Sequence, residues 1–106
     1  MMLKLGVQTK NIVEDAQPED GCRLMQRAGF SCADFSLNGY LMNTDIYRMQ
    51  MNSFFDQSQD ALERFFTPHR DGAEAAGIRI HQMHMPYPIY IPQGKPAVNE
   101  YLWQQV

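Results

Sequence analysis

Apolar and polar residues alternate with period two at 3–8, and this alternation predicts a first β-strand, because strand side chains point alternately to the two faces of a sheet. Two further stretches, at 30–37 and 78–84, are also predicted to be strands. Long polar or Pro-rich stretches follow the predicted strands at 9–17, 38–52 and 85–98, whereas the connections that precede the second and third strands are short.

Two helices are predicted between these strands. Apolar residues at helical spacing predict the first over 18–28, with Pro18 in its first turn and Gly29 after its last residue. A second apolar stripe, interrupted by Pro68, ends before Gly77. Its candidate N-caps are Ser53, Asp56 and Ser58. A further helix is predicted to begin near Glu100. The order β-α-β-α-β predicts an α/β fold with about three parallel strands in one domain, 1–106.

The third predicted strand ends in a histidine before a Pro-rich loop. Period two predicts that Ile78, Ile80, Gln82 and His84 share one face, apolar at its start and polar at its end. Ligands of parallel α/β sheets bind at the carboxyl ends of the strands. His84 is therefore the first candidate for chemistry, as an imidazole suited to metal binding or proton transfer.

Composition excludes several classes of function. The formal net charge is −3, with 9 Lys and Arg against 12 Asp and Glu, which argues against a nucleic-acid partner. No apolar run approaches the roughly 20 residues that cross a bilayer, so we expect no membrane association and a cytoplasmic location. The two cysteines, Cys22 and Cys32, are predicted to be reduced.

Four segments taken together resemble the opening of the xylose isomerase-like TIM barrels, a superfamily of sugar and sugar-phosphate isomerases and epimerases that also includes endonuclease IV. They are Leu-Lys-Leu-Gly-Val-Gln at 3–8, Ala-Gly-Phe-Ser-Cys-Ala-Asp-Phe at 28–35, Ala-Ala-Gly-Ile at 75–78, and Gln-Met-His-Met-Pro-Tyr at 82–87. The resemblance covers nearly the whole chain. It implies a partial (β/α)8 barrel, in which these 106 residues form the N-terminal three βα units of a truncated whole.

The resemblance also implies which residues face a carbohydrate. His84 corresponds to a histidine at the end of the family's third strand, which faces substrate or, in the endonuclease branch, a metal. Asp34 corresponds to an acidic position on the second strand, without an assigned catalytic role. Its carboxylate is expected to be either a substrate-binding residue or a buried anchor.

Independently of the resemblance, Gln8 and Gln82 lie near strand ends, where they either bind sugar hydroxyls or have a structural role in a polar barrel mouth. The loop residues Tyr87 and Tyr90 either stack on a sugar ring or cover the barrel edge.

The implied cofactor is a divalent ion (Mn, Mg, Zn or Co), whose main carboxylate ligands lie on later strands of the family's barrel. We therefore expect these 106 residues alone to be inactive. The other histidines have structural interpretations: His69 lies on a helix stripe, and His81 is predicted to face the helical layer.

Three functions are compatible with this interpretation. The first is a sugar or sugar-phosphate isomerase or epimerase that acts by metal-assisted proton transfer. The second is a non-enzymatic module that self-associates, as a homo-oligomer, through exposed sheet edges. The third, a metal-dependent hydrolase like endonuclease IV, requires basic loops to grip phosphate, and the long loops carry only Lys10, Arg48 and Lys95.

Overall fold

The computed structural model of the protein describes residues 3–40, 54–84, 96–97 and 99–100. The predictions made for Tyr87, Arg48 and Lys95, and most of the helix predicted from Glu100 onward, lie outside these residues.

A three-stranded parallel sheet forms the centre of the fold, with strand order β1-β2-β3. The strands are Gly6–Gln8 (β1), Cys32–Ser36 (β2) and Arg79–His84 (β3). The predicted α/β class with parallel strands is confirmed. Strand β1 is shorter than the predicted 3–8, because β2 begins at Cys32 and the partner of Cys32 in β1 is Gly6. Leu3 and Leu5 precede the ladder, and both are exposed.

Two helices connect the strands, at Pro18–Arg27 (α1) and Gln59–Ala75 (α2). Ser58 caps α2, since its hydroxyl accepts a hydrogen bond from the Ala61 amide at 3.2 Å. The sequence predicts that Pro68 either kinks this helix or divides it in two; α2 continues through Pro68, so the division is wrong. Two carbonyl groups in the turn before Pro68 have side-chain partners: the Thr67 hydroxyl donates to Glu63, and a ring nitrogen of His69 lies 3.2 Å from the Phe65 oxygen.

Both helices cover the same face of the sheet. One cluster of buried side chains combines α1, the sheet and the end of α2, and it comprises Cys22, Met25, Ala33, Ala73, Ala76 and Ile78. Gly72 of α2 lies against the backbone of Glu19, so the two helices are in close contact. Each αβ connection turns at a glycine in the left-handed region, Gly29 at φ 94° and Gly77 at φ 68°, as the sequence predicts.

An irregularity in β3 overturns one prediction. Ala33 pairs with Ile80, but Asp34 pairs with Gln82, so His81 is an extra residue in a β-bulge. The bulge changes the alternation of side chains. Ile80 packs against the core under the helices, whereas Gln82 lies opposite Asp34 on the other face. The expectation that Ile78, Ile80, Gln82 and His84 share one face is therefore wrong.

The bulge also changes the setting of His81. This residue is exposed, rather than packed in the helical layer as the sequence predicts.

Among the described residues, no helix combines the length and the hydropathy that crossing a bilayer requires.

Candidate functional site

A row of polar side chains crosses the sheet near the carboxyl ends of its strands. Gln8 pairs with Asp34, and Asp34 pairs with Gln82, so the three residues stand side by side on adjacent strands. Their neighbours Ala33 and Phe35 are buried on the side of the helices. Because alternate residues of a strand point to opposite faces, the row lies on the face that carries neither helix.

His84 stands next to this row, at the end of β3. Its Nδ1 is 3.8 Å from Oδ2 of Asp34, which is too long for a hydrogen bond but close enough for an electrostatic interaction. The Asp34 side chain is 21% exposed and that of His84 is 45% exposed. The bulge thus brings together four residues that the sequence singled out: Gln8, Asp34, Gln82 and His84.

Three buried oxygen atoms at the carboxyl end of β2 make no hydrogen bond in the described part of the chain. They are Oδ1 of Asp34, Oγ of Ser36 and Oδ1 of Asn38. Asp34 belongs to the polar row, and Ser36 pairs with His84 beside it. Native proteins leave few buried polar atoms unsatisfied, so these three atoms are unusual. Each of them can accept a hydrogen bond, and the Ser36 hydroxyl can also donate one.

The described residues provide only some of the ligands that the divalent ion implied by the resemblance would need. No group of three or more His, Cys, Asp or Glu side chains converges among them. Asp34 and His84 offer one carboxylate and one imidazole, whereas catalytic zinc, for example, has three protein ligands. These residues by themselves therefore do not fit a complete metal centre.

A cavity of about 260 Å³ lies between the segments that follow β1 and β2. Thr9, Ser36 and Phe35 line it from the strand ends, and Tyr40 and His69 line it from the 3₁₀ turn Asn38–Tyr40 and from α2. Lys10, Asn11, Val13, Asp15 and Gly39 complete the lining. Thr9 and Ser36 are joined, because the Ser36 amide donates to Oγ1 of Thr9 at 3.0 Å.

Asp15 holds two walls of this cavity together. Its Oδ1 accepts hydrogen bonds from the Tyr40 hydroxyl at 2.6 Å and from Nε2 of His69 at 2.8 Å. His69 is 4% exposed, whereas the Asp15 side chain is 49% exposed. Burial raises the pKa of the Tyr40 hydroxyl above its ordinary value, and the hydrogen bond to the Asp15 carboxylate raises that pKa further.

Sequence reasoning missed this group of three. The stripe spacing indicates a structural His69, but Asp15 lies 54 residues before it in the chain, and no local pattern pairs them. The loop between β1 and Asp15 has one unusual backbone position, Asn11 at φ 64°, in a segment that the sequence marks simply as polar.

A second concavity, an apolar groove of about 420 Å³ on the helical side, is lined by residues that include Phe55, Phe66 and Met83.

The chain was also compared with known proteins. No family model matches it, and no curated protein or solved structure matches it either.

Proposed function

We propose that the described residues, with three strands and the two helices that connect them, belong to three successive βα units of a TIM-type barrel. Two features of the fold support this proposal. The strands run in the sequential order β1-β2-β3, and both helices cover one face. Doubly wound sheets instead reverse their strand order and carry helices on both faces, whereas a barrel keeps sequential order and all its helices outside. The face with the polar row then corresponds to the barrel interior.

The proposed function is that of a sugar or sugar-phosphate isomerase or epimerase, and the polar row, with Asp34 at its centre and His84 beside it, carries this proposal. The Asp34 carboxylate accepts hydrogen bonds, and a carbohydrate presents a row of hydroxyl donors. Gln8 and Gln82 flank Asp34 and add amide groups that donate and accept. These groups support the recognition of a polyhydroxylated ligand at the carboxyl ends of the strands.

In this proposal, the Asp34 carboxylate and the His84 imidazole transfer protons to and from the ligand. Isomerisation and epimerisation move a proton from carbon, so they need a base near the ligand and an acid near the developing charge. Asp34 and His84, 3.8 Å apart, provide one group of each kind within reach of the same ligand. The resemblance places the ligands of the divalent ion on later strands, so we expect the 106 residues to bind sugar without turnover.

The test is a titration of the ¹⁵N-labelled chain with D-xylulose, followed through amide chemical shifts. We expect saturable shifts at Gln8, Asp34, Gln82 and His84. Asp34→Asn keeps the shape of the side chain but removes its charge, and it is expected to weaken binding about tenfold, the cost of a charged hydrogen bond to a ligand hydroxyl. Glu74→Gln is the matched control, because Glu74 is an exposed carboxylate of α2 remote from the polar row.

Two results would contradict the proposal. One is an absence of shifts at the polar row up to a high concentration of the sugar. The other is equal weakening by Asp34→Asn and Glu74→Gln, which would mean that the effect comes from net charge and not from contact with the ligand. Turnover of D-xylulose by the chain would separately refute the expectation of inactivity.

Self-association is a second candidate function, favoured by exposed apolar side chains near the edge strand β1. Leu3, Leu5 and Leu24 are 89%, 61% and 59% exposed. An unpaired strand edge beside such side chains invites pairing with another chain. Sedimentation of the wild-type chain is expected to show concentration-dependent association. Leu5→Glu is expected to reduce it, whereas Gln26→Glu, an equal charge change on the exposed side of α1, is not. A monomer at all concentrations would exclude this function.

A further inference from the structure

From the cavity between the segments that follow β1 and β2 we infer a second binding site, which takes a free α-amino acid with an apolar side chain: Asp15 receives its ammonium group and Lys10 its carboxylate. This site goes beyond the proposed function and is independent of it. No residue of the polar row lines the cavity, and neither does His84. Its wall from β2 includes Phe35, which is in ring contact with α2 on the helical side of the sheet.

The Asp15 carboxylate is held in place before any ligand arrives. Its Oδ1 is the acceptor for both Tyr40 and His69. Packing fixes both donors, because the Tyr40 ring stacks on Phe54 with centroids 4.6 Å apart and His69 is almost fully buried. The Asp15 side chain is nevertheless half exposed, so the carboxylate remains accessible to a ligand. A carboxylate positioned in this way binds an ammonium group at a reduced entropic cost.

Lys10 is a cation in the same lining that has no ionic partner there. It forms no ion pair with Asp15 or with any other residue in the part of the chain that the structure describes. Its backbone lies in a fixed turn, because the Thr9 carbonyl accepts hydrogen bonds from the Ile12 and Val13 amides, each at 3.0 Å. The lysine side chain itself is a flexible stem that ends in three donors. Its ammonium group can therefore move to meet an anionic group in the cavity.

These two charges favour a ligand that carries both signs. A ligand with an ammonium group alone would leave Lys10 as a repulsive neighbour, and a ligand with a carboxylate alone would face Asp15. Like charges placed close together cost affinity and suppress the wrong partner. An α-amino acid at neutral pH carries an ammonium group and a carboxylate on one carbon atom, so it pairs with both side chains.

The remainder of the cavity suits an apolar side chain of moderate size. The volume is about 260 Å³, somewhat below the range of about 300–1,000 Å³ that is usual for pockets holding drug-sized molecules. Val13 and Phe35 contribute apolar surface to the walls. A branched aliphatic side chain such as that of leucine would bury its methyl groups against this surface, and burial of apolar area favours binding.

The test compares L-leucine with two analogues that each lack one charge, in amide-shift titrations of the ¹⁵N-labelled full chain. 3-Methylbutylamine lacks the carboxylate, and 4-methylpentanoate lacks the ammonium group. L-leucine is expected to produce saturable shifts at the amides of Asn11, Gly39 and Tyr40. Each analogue is expected to bind about tenfold more weakly, the effect of losing one charged hydrogen bond. An analogue that binds as tightly as L-leucine would overturn the inference.

Two variants assign the ionic contacts to their residues. Asp15→Asn keeps the shape of the side chain but removes its charge, and it is expected to abolish the preference for L-leucine over 4-methylpentanoate. Lys10→Gln is expected to abolish the preference for L-leucine over 3-methylbutylamine. Asp71→Asn and Lys4→Gln neutralise exposed charges outside the cavity lining, so they are the matched controls and are expected to leave both preferences unchanged.

The outcomes separate this site from the proposed function, because the two sites are followed at different amides. If L-leucine produces no shifts at the cavity amides up to a high concentration, this inference fails, whatever the response of the polar row to sugar. It also fails if the cavity variants and their controls change the preferences equally, because the effect then comes from net charge. The comparison of the three ligands on the wild-type chain decides the matter even where a variant does not fold.

Discussion

Replacing Gly72 with alanine tests the contact between the two helices, because two effects of opposite sign compete at this position. In a helix interior, alanine is more favourable than glycine by about 0.8–1.0 kcal/mol. A Cβ atom on Gly72, however, would lie 2.9 Å from both the N and Cα atoms of Glu19. These are backbone atoms of α1, so no side-chain rotation relieves the overlap.

The packing effect is expected to exceed the propensity effect. Overpacking costs about 1–3 kcal/mol, and a clash with backbone belongs in the upper part of that range. After subtraction of the propensity gain, Gly72→Ala is expected to destabilise the fold by about 1–2 kcal/mol. In a domain of this size, each kcal/mol lowers the Tm by about 4–8 °C.

Thermal and urea unfolding followed by circular dichroism at 222 nm measure this change. Arg64→Ala, an exposed position of the same helix, is the matched control and is expected to stay within about 0.5 kcal/mol of wild type. A Gly72→Ala protein as stable as wild type, or more stable, would show that α1 and α2 do not approach as closely as described, and the shared helical layer would lose its support.

Three further predictions concern the walls of the cavity. Thr9→Val leaves the buried Ser36 amide without its acceptor and is expected to lower the free energy of unfolding in urea by about 1–3 kcal/mol, whereas Thr9→Ser, which keeps the oxygen, is expected to cost less. His69→Leu and Asp15→Ala are expected to be coupled by about 0.5–3 kcal/mol in a double-mutant cycle, and strict additivity would contradict their contact. The raised pKa of Tyr40 means that the unfolded chain loses this proton first as the pH rises past the ordinary value of 10.0, so stability falls above that pH. Tyr40→Phe is expected to make that fall shallower in urea titrations between about pH 9 and 11, and an identical slope would contradict the hydrogen bond from the Tyr40 hydroxyl to Asp15.

Local signals in the sequence account for much of the fold. The predicted stretches locate the three strands, and Gly29 and Gly77 mark where each helix turns into the next strand because both adopt positive φ. These features depend on neighbouring residues only. The bulge at His81 also leaves a local trace, because apolar residues occupy even positions at Ile78 and Ile80 but an odd position at Met83. An interpretation of 78–84 as strictly period two overlooks this shift.

Part of the candidate site is predictable from local sequence, and part of it depends on residues that are distant in the chain. His84 and Asp34 are predictable because strand ends are recognisable and because polar residues stand out there. The link from Asp15 to Tyr40 and His69 is not, since these partners are 25 and 54 residues away and meet only after the helices pack. The unsatisfied oxygen of Ser36 is likewise a property of the folded state, because burial alone makes a serine hydroxyl informative.

Intermolecular nuclear Overhauser effects between D-xylulose and the chain test the central claim most directly, because they report which face of the sheet the sugar touches. Contacts from sugar protons to the side chains of Gln8, Gln82 and His84 are the predicted result. Contacts confined to the apolar groove on the helical side, to Phe55 or Met83, would contradict the claim that the helix-free face binds the ligand.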